Sequence, residues 1–333
     1  MKQILVTGGA GFIGSNFVRY FLKNYSDYTV INLDKLTYAG NRKNLRGFRN
    51  HHNYHFIKGD ICNKKLVEET VKNCECVINF AAETHVDKSI DQPGTFIRTN
   101  INGVQTLLKA VNKFKVSRFI QISTDEVYGS IPAGSSKEED PLRPSSPYSA
   151  SKAAADLLCW SYYVTYNTPI LIARCSNNYG EHQYPEKIIP FFVARLLRNR
   201  KVPLYGDGMH VRDWIYVGDC CRAIDLIRKN GETGQIYNVA GGNLISNLEL
   251  AVKIIDILGK SREVIEFVED RPGHDDRYML SIEKIRQLGF SPDYDFAQTL
   301  EETVNWYRNN RQWWKFLNRK KIKERITKNT NTE

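Results

Sequence analysis

The sequence predicts an α/β protein: a Rossmann-type, doubly wound parallel sheet, followed by a smaller C-terminal substrate-binding α/β lobe. Three observations carry this reading. Short runs of β-branched and apolar residues alternate with amphipathic segments from residue 1 to about 175. The first run opens into a glycine-rich turn, Gly8-Gly9-Ala10-Gly11-Phe12-Ile13-Gly14. From Asn177 onward the alternation loosens into loops rich in polar side chains.

Residues 3–7 form a strand leading into the glycine-rich turn, and Ser15 to Lys23 form an amphipathic helix beyond it. Small residues permit a tight turn, let backbone approach a pyrophosphate, and aim a helix N-terminus at the anion. A glycine triad alone is weak. Here a second strand, residues 29–33, follows and ends in Asp34, twenty residues past Gly14. A carboxylate there suits the adenosine ribose hydroxyls and repels a 2′-phosphate, which favours NAD over NADP; Lys35 and Arg42 nearby weaken that preference.

Further strands are expected at residues 54–59, closed by Asp60-Ile61, and at 76–80, closed by Ala81-Ala82-Glu83. A helix from Thr95 to Phe114 then leads to the strand 119–122 and the triplet Thr124-Asp125-Glu126. Such a triplet commonly caps a turn or a helix start. At a strand end of an open α/β sheet it also lies where ligands bind. After a Pro- and Ser-rich loop, a helix runs from Tyr148 to Tyr166 and sets Tyr148 and Lys152 one turn apart. A phenol beside an ammonium and a cationic nicotinamide has a lowered pKa and can accept a hydroxyl proton. In the second lobe, helices are expected at 190–199, 217–229, 247–258 and 281–288, with a strand at 235–240.

Composition excludes several classes. Hydrophobic content of 41% and charged content of 25% are ordinary for a globular chain, and no apolar run has the length of a membrane span. The N-terminus lacks the apolar core of a signal peptide, and the seven cysteines form no C-x-x-C pair. A cytoplasmic protein with free thiols is expected. His51, His52 and His55 have no companion ligands, so no metal site is expected. The net charge of +10 is concentrated at the C-terminus, where residues 308–333 carry nine Lys or Arg against two Glu. A solvated tail at 312–333 accounts for this better than nucleic-acid binding, though a polyanion contact is the other reading.

The glycine turn and the Tyr148-x-x-x-Lys152 pair resemble the extended short-chain dehydrogenase/reductase superfamily. Within it, Thr124-Asp125-Glu126, residues 85–89 (HVDKS), residues 176–180 (SNNYG) and residues 271–275 (RPGHD) resemble the dTDP-D-glucose 4,6-dehydratase family, over Met1 to about Arg311. The resemblance implies a lyase with bound NAD, acting on dTDP-glucose by C4 oxidation, loss of water across C5 and C6, and reduction at C6. It implies catalytic Thr124, Asp125, Glu126, Tyr148 and Lys152, with Glu126 as base at C5 and Asp125 as acid at the 6-hydroxyl. The cofactor would meet Gly8, Gly11, Phe12, Ile13, Gly14, Asp34, Lys35, Leu36, Thr37, Asp60, Ile61, Ala81, Ala82, Glu83, Thr99, Tyr148, Lys152 and Asn178. The nucleotide sugar would meet His85, Thr124, Asn177, Glu186, Lys187, Pro203, Tyr205, Arg212, Asn247, Arg271, His274 and Tyr278.

Arg212 and Arg271 suit a diphosphate by their forked donors, or are ordinary surface arginines. Tyr205 either stacks on a pyrimidine or packs within its loop. Asp276 departs from the family pattern, where Arg is commoner, and reverses one charge beside the expected diphosphate. The resemblance also implies a homodimer built on the helices at 95–114 and 148–166, and a place in deoxysugar (dTDP-rhamnose-type) biosynthesis. Two other readings remain: a 4,6-dehydratase or 4-epimerase of another nucleotide sugar, and a non-catalytic NAD-binding scaffold.

Overall fold

A computed structural model describes residues 1–315. The first half of the chain alternates as the sequence predicts. It runs β1 (Lys2–Thr7), α1 (Phe12–Asn24), β2 (Tyr28–Asp34), β3 (Tyr54–Lys58), α2 (Lys64–Val71), β4 (Cys76–Asn79), α3 (Val86–Asp91), α4 (Pro93–Phe96), α5 (Val104–Phe114), β5 (Arg118–Thr124), α6 (Pro147–Tyr166) and β6 (Ile170–Cys175). A short 3-10 segment, Arg42–Phe48, lies between β2 and β3, and another, Asp125–Tyr128, follows β5 directly.

The second half contributes β7 (Asn177–Tyr179), α7 (Ile188–Leu196), β8 (Val202–Tyr205), β9 (Val211–Tyr216), α8 (Val217–Asn230), β10 (Ile236–Val239), β11 (Asn243–Ser246), α9 (Asn247–Ile257), β12 (Ile265–Val268), α10 (Glu283–Gln287), α11 (Phe296–Asn309) and α12 (Arg311–Lys315). Seven parallel strands form the main sheet in the order β10-β6-β5-β4-β1-β2-β3. The chain therefore returns to that sheet through β10 after entering the smaller lobe. There, β11-β9-β7 and β12-β8 make two small sheets that the sequence reading did not separate.

The period of two along the strands sorts the core. Ile4 and Val6 face one side with Phe17 and Phe21 of α1 and Ile224 and Ile227 of α8. Leu5 and Val77 face the other, with Leu107 and Leu108 of α5 and Cys159 of α6. Each such fully buried side chain contributes roughly 1.5–3 kcal/mol relative to exposure. A third cluster, including Tyr179, Phe192, Trp214, Ile254, Val304 and Trp314, fills the smaller lobe.

Beyond shifts of one to three residues at helix ends, two differences from the sequence expectation bear on the site. The helix expected from Thr95 to Phe114 is interrupted by a π-helical turn at Ile97–Gly103. The packed chain also continues past Arg311: Trp314 is 3% exposed and its indole N–H donates to the Tyr307 carbonyl at 2.8 Å. Two tryptophans give residues 312–315 a buried face that the charge count of the segment conceals. The rest of the expected tail, 316–333, lies outside the described residues.

Candidate active site

The triplet occupies the C-terminal end of β5, a central strand, where the chain leaves the sheet. The Thr124 side chain caps the 3-10 turn, accepting from the Glu126 N–H at 3.3 Å, so the capping role read from the sequence is real. The same hydroxyl donates to Asp125 Oδ1 at 3.0 Å. Asp125 Oδ2 is buried and has no hydrogen-bond partner among the described residues.

The environments of the two carboxyls differ. Burial, followed by the adjacent Glu126 charge, raises Asp125 to about 8. Burial also raises Glu126, but Lys187, Arg271 and Arg212 oppose that rise. The pair titrates as a unit, and its singly protonated form places the proton on Asp125 and the charge on Glu126, facing three cations.

Tyr148 enters from α6. Ser146 and Ser149 form a capping box at its N-terminus and Pro147 occupies the first turn, so the start of this helix is fixed by sequence. The Tyr148 ring packs edge-on against Phe96, and Lys152 follows one turn later, also buried. The expected lowering of the phenol invokes a cationic nicotinamide as well as the ammonium, and the protein's own groups act the other way. Burial and the charges of Glu126 and Asp125 push it well up, against a hydrogen bond with Thr124. Lys152 donates to the Ile122 carbonyl at 2.5 Å, and burial lowers its own pKa.

The expected cofactor residues surround the ends of β1, β2, β3 and β4. Gly8 has φ +68°, and a Cβ there would stand 2.6 Å from the Ala81 backbone nitrogen, so only glycine fits between the turn and the Ala81–Ala82 loop. A Cβ on Gly14 would approach the Gly8 carbonyl oxygen to 2.4 Å. Gly11 caps α1 without a side-chain acceptor, which leaves the N–H groups of the first turn, from Phe12 and Ile13 on, available to an anion. Asp34 is buried and raised by desolvation, while the N–H groups of Leu36 at 2.7 Å and Ala10 at 2.9 Å counter that rise.

Lys35 pairs with Asp60 at 2.9 Å, so its charge is partly neutralised. Leu36 has φ +56°, Thr37 accepts from the Gly40 N–H, and Ile61 is buried against Gly103. Thr99 lies on the π-turn. Asn178 is buried on β7, its Oδ1 without a partner among the described residues.

The residues expected to face the sugar nucleotide fall into two groups. His85 lies 3.6 Å from Glu186, which accepts from the Tyr38 hydroxyl at 2.7 Å, while Lys187 donates to the Thr84 carbonyl at 2.9 Å. Arg271 pairs with Asp87 at 3.1 Å. The second group contains Tyr205, on β8 after Pro203, with its ring edge-on to His274. His274 stacks on His210 at 3.7 Å and pairs with Asp270 at 2.7 Å. Burial, with Arg271 assisting, lowers His274 to about 4, so the ring is neutral and donates from Nδ1 to the carboxylate. His210, Asp270 and His274 lie near enough to form a candidate metal-ligand set, and here both rings pair with the Asp270 carboxylate, His210 at 3.0 Å and His274 at 2.7 Å. Asn177 lies on β7, and the Asn247 N–H donates to the His210 carbonyl at the start of α9.

Arg212 is engaged within the chain. Its donors go to the carbonyls of Val211, Asp275 and Asp276, and its guanidinium lies over the Tyr278 ring at 4.4 Å. Asp275 in turn accepts from Ser145 and Tyr278. Arg212 thus fixes the 271–278 loop through backbone. The Asp276 side chain is exposed, while its backbone is tied to Arg212, Val211 and Ser130.

Sequence reasoning missed Asn100. The π-turn rotates it inward, where it bonds the Glu83 N–H at 2.9 Å, the Glu83 carbonyl at 3.1 Å and Ser151 Oγ at 2.9 Å. It fastens the loop after β4 to α6 near Tyr148. Its signal in the sequence is its place four residues from both Phe96 and Val104, which are buried on the same stripe.

Residues 5–303 match the family model described as GDP-mannose 4,6 dehydratase. The dTDP-glucose 4,6-dehydratase of Streptomyces niveus is 49% identical over 95% of both chains. The low-salt glycan biosynthesis protein Agl12 of Haloferax volcanii is 51% identical over 92% of this chain and 98% of its own. Among solved structures, DesIV, a dTDP-glucose 4,6-dehydratase of Streptomyces venezuelae with NAD and TYD bound, superposes with a TM-score of 0.93 at 47% identity, covering 95% of this chain and 99% of that one. A UDP-glucose 4-epimerase of Thermus thermophilus is more distant, at 32% identity and a TM-score of 0.85, covering 92% and 99%. The chain belongs to the GDP-mannose 4,6 dehydratase family and, within it, to the dTDP-glucose 4,6-dehydratases.

Proposed function

We propose that the chain is an NAD-dependent hydro-lyase converting dTDP-D-glucose to dTDP-4-dehydro-6-deoxy-D-glucose and water. What supports this is the asymmetry of the adjacent carboxyls beside Tyr148: burial raises Asp125, which favours its protonated form, and Glu126 faces Lys187, Arg271 and Arg212. Elimination needs one acid and one base at neighbouring carbons, whereas epimerisation needs neither beyond the tyrosine.

When bound, NAD supplies the oxidant for C4 and the reductant for C6 within one turnover. The uncapped first turn of α1 and the Asp34 carboxylate are the features of this chain that fit its pyrophosphate and ribose. Tyr148 takes the proton of the 4-hydroxyl, Thr124 hydrogen-bonds the same oxygen, and Lys152 offsets the charge that develops on the phenol. Glu126 removes the C5 proton, made acidic by the adjacent ketone, and Asp125 protonates the departing 6-hydroxyl. His85, Glu186, Lys187, Arg271 and the Tyr205–His274 wall hold the nucleotide sugar, with Arg212 acting through the loop it anchors.

We further read residues 1–175 as the NAD lobe and 176–311 as the sugar-nucleotide lobe, in a cytoplasmic homodimer serving deoxysugar biosynthesis. Among the described residues no helix is long and apolar enough to cross a membrane. Support for the dimer comes from α6, where Leu157, Trp160 and Val164 are 59%, 46% and 61% exposed along one stripe, with Ile97 on the preceding π-turn at 50%. Glu126→Gln tests the assignment of the base. The variant should still reduce its bound nicotinamide transiently on mixing with dTDP-glucose yet eliminate water slowly, and full turnover would remove Glu126 from that role.

A further inference from the structure

The glycine-rich turn is held from behind by contacts that end in α12. Ala10 sits at its centre, with its N–H on Asp34 Oδ2 at 2.9 Å. Its carbonyl accepts from the Asn41 N–H at 2.9 Å and from Asn44 Nδ2 at 3.0 Å. Asn44 is fully buried in the 3-10 segment after β2. Its Oδ1 accepts from the Trp313 indole N–H at 2.9 Å, across 269 positions of sequence, and its carbonyl accepts from Arg19 of α1. Arg19 also faces both ring nitrogens of His182, at 3.1 and 3.0 Å, and His182 lies between Trp306 and Trp313.

We propose that Trp313 and Asn44 are positioning residues for the dinucleotide, a clasp through which the C-terminal segment sets the shape of the glycine-rich turn. The indole N–H is a donor only, so it fixes which end of the Asn44 amide faces it and thereby directs the NH2 group at Ala10. Without that donor the amide is free to flip, which sets its oxygen against the Ala10 carbonyl oxygen. The turn that carries the uncapped N-terminus of α1 then loses one of its two side-chain anchors, Asp34 being the other. This rests on the reading that the turn holds NAD.

Trp313→Phe separates the clasp from packing, because the ring against His182 and Trp306 is retained and only the N–H is lost. NAD is removed from the purified protein and its rebinding is measured by calorimetry. Trp313→Phe should raise the NAD dissociation constant about fivefold, the scale of one net hydrogen bond, and Asn44→Ala by more than about tenfold. Trp306→Phe, in the same cluster but without a bond to Asn44, should bind NAD as the wild type does. Where Asn44→Ala fails to fold, Trp313→Phe carries the test alone. Wild-type affinity in Trp313→Phe overturns the proposal, and so does equal weakening in Trp306→Phe, since packing then explains both. A wild-type protein that binds no NAD defeats the cofactor reading instead.

Discussion

Asp125→Asn is expected to stop water elimination and, at neutral pH, to make the folded protein more stable. Burial and the neighbouring Glu126 charge raise Asp125 from 3.8 to about 8 on folding. Between those values the folded chain keeps a proton that the unfolded chain has lost. Stability from this group is therefore fully present below pH 3.8 and is lost as pH rises through about 8. The loss is about 1.4 kcal/mol per pH unit, or roughly 4 kcal/mol by neutral pH. Asn keeps an oxygen for the Thr124 hydroxyl but places an amide NH2 where Asp125 Oδ2 has no partner, at a cost of about 1–2 kcal/mol. A net gain of about 2–3 kcal/mol at neutral pH follows from the two magnitudes. Urea unfolding of NAD-free wild type and variant, at intervals from about pH 5 to about pH 9, measures it. The difference should grow with pH and level off above about 8. A variant no more stable than wild type at alkaline pH, or a difference independent of pH, would refute the reasoning.

Other perturbations follow from the same geometry. Glu126→Gln should lower the elimination rate by about 10²–10⁴-fold while the transient reduction of bound nicotinamide, followed by stopped-flow absorbance, persists. Tyr148→Phe should remove that transient as well, because no group then accepts the 4-hydroxyl proton. Truncation after Arg311 removes buried Trp314 and should cost about 3–5 kcal/mol, read as a fall in melting temperature. Trp160→Glu on the exposed stripe of α6 should shift the protein from dimer to monomer in analytical ultracentrifugation; an unchanged mass would move the interface elsewhere.

The parts legible in the sequence are those set by local chemistry. The glycine turn, the strand ending in Asp34, the start of α6 and the triplet at the end of β5 each follow from short-range pattern, and each lies where that pattern predicts. What escaped depends on distant partners. Arg212 reads as a diphosphate fork or a surface arginine, and two of the three carbonyls it donates to, those of Asp275 and Asp276, lie more than sixty residues away. Lys152 reads as a cation beside Tyr148, but its ammonium donates to the Ile122 carbonyl, 30 residues upstream. Trp313 and Trp314 were obscured by the charge of the segment that contains them, and Asn100 by a π-turn that no periodicity announces.

The central claim is that one site oxidises, dehydrates and reduces a single nucleotide sugar with no net change in its cofactor. Incubation of the purified protein with dTDP-glucose, followed by NMR of the sugar and absorbance of the nicotinamide, tests it most directly. The account predicts a 4-keto-6-deoxy sugar nucleotide formed without accumulation of NADH. Recovery of unchanged substrate, or of the 4-epimer alone, would contradict it.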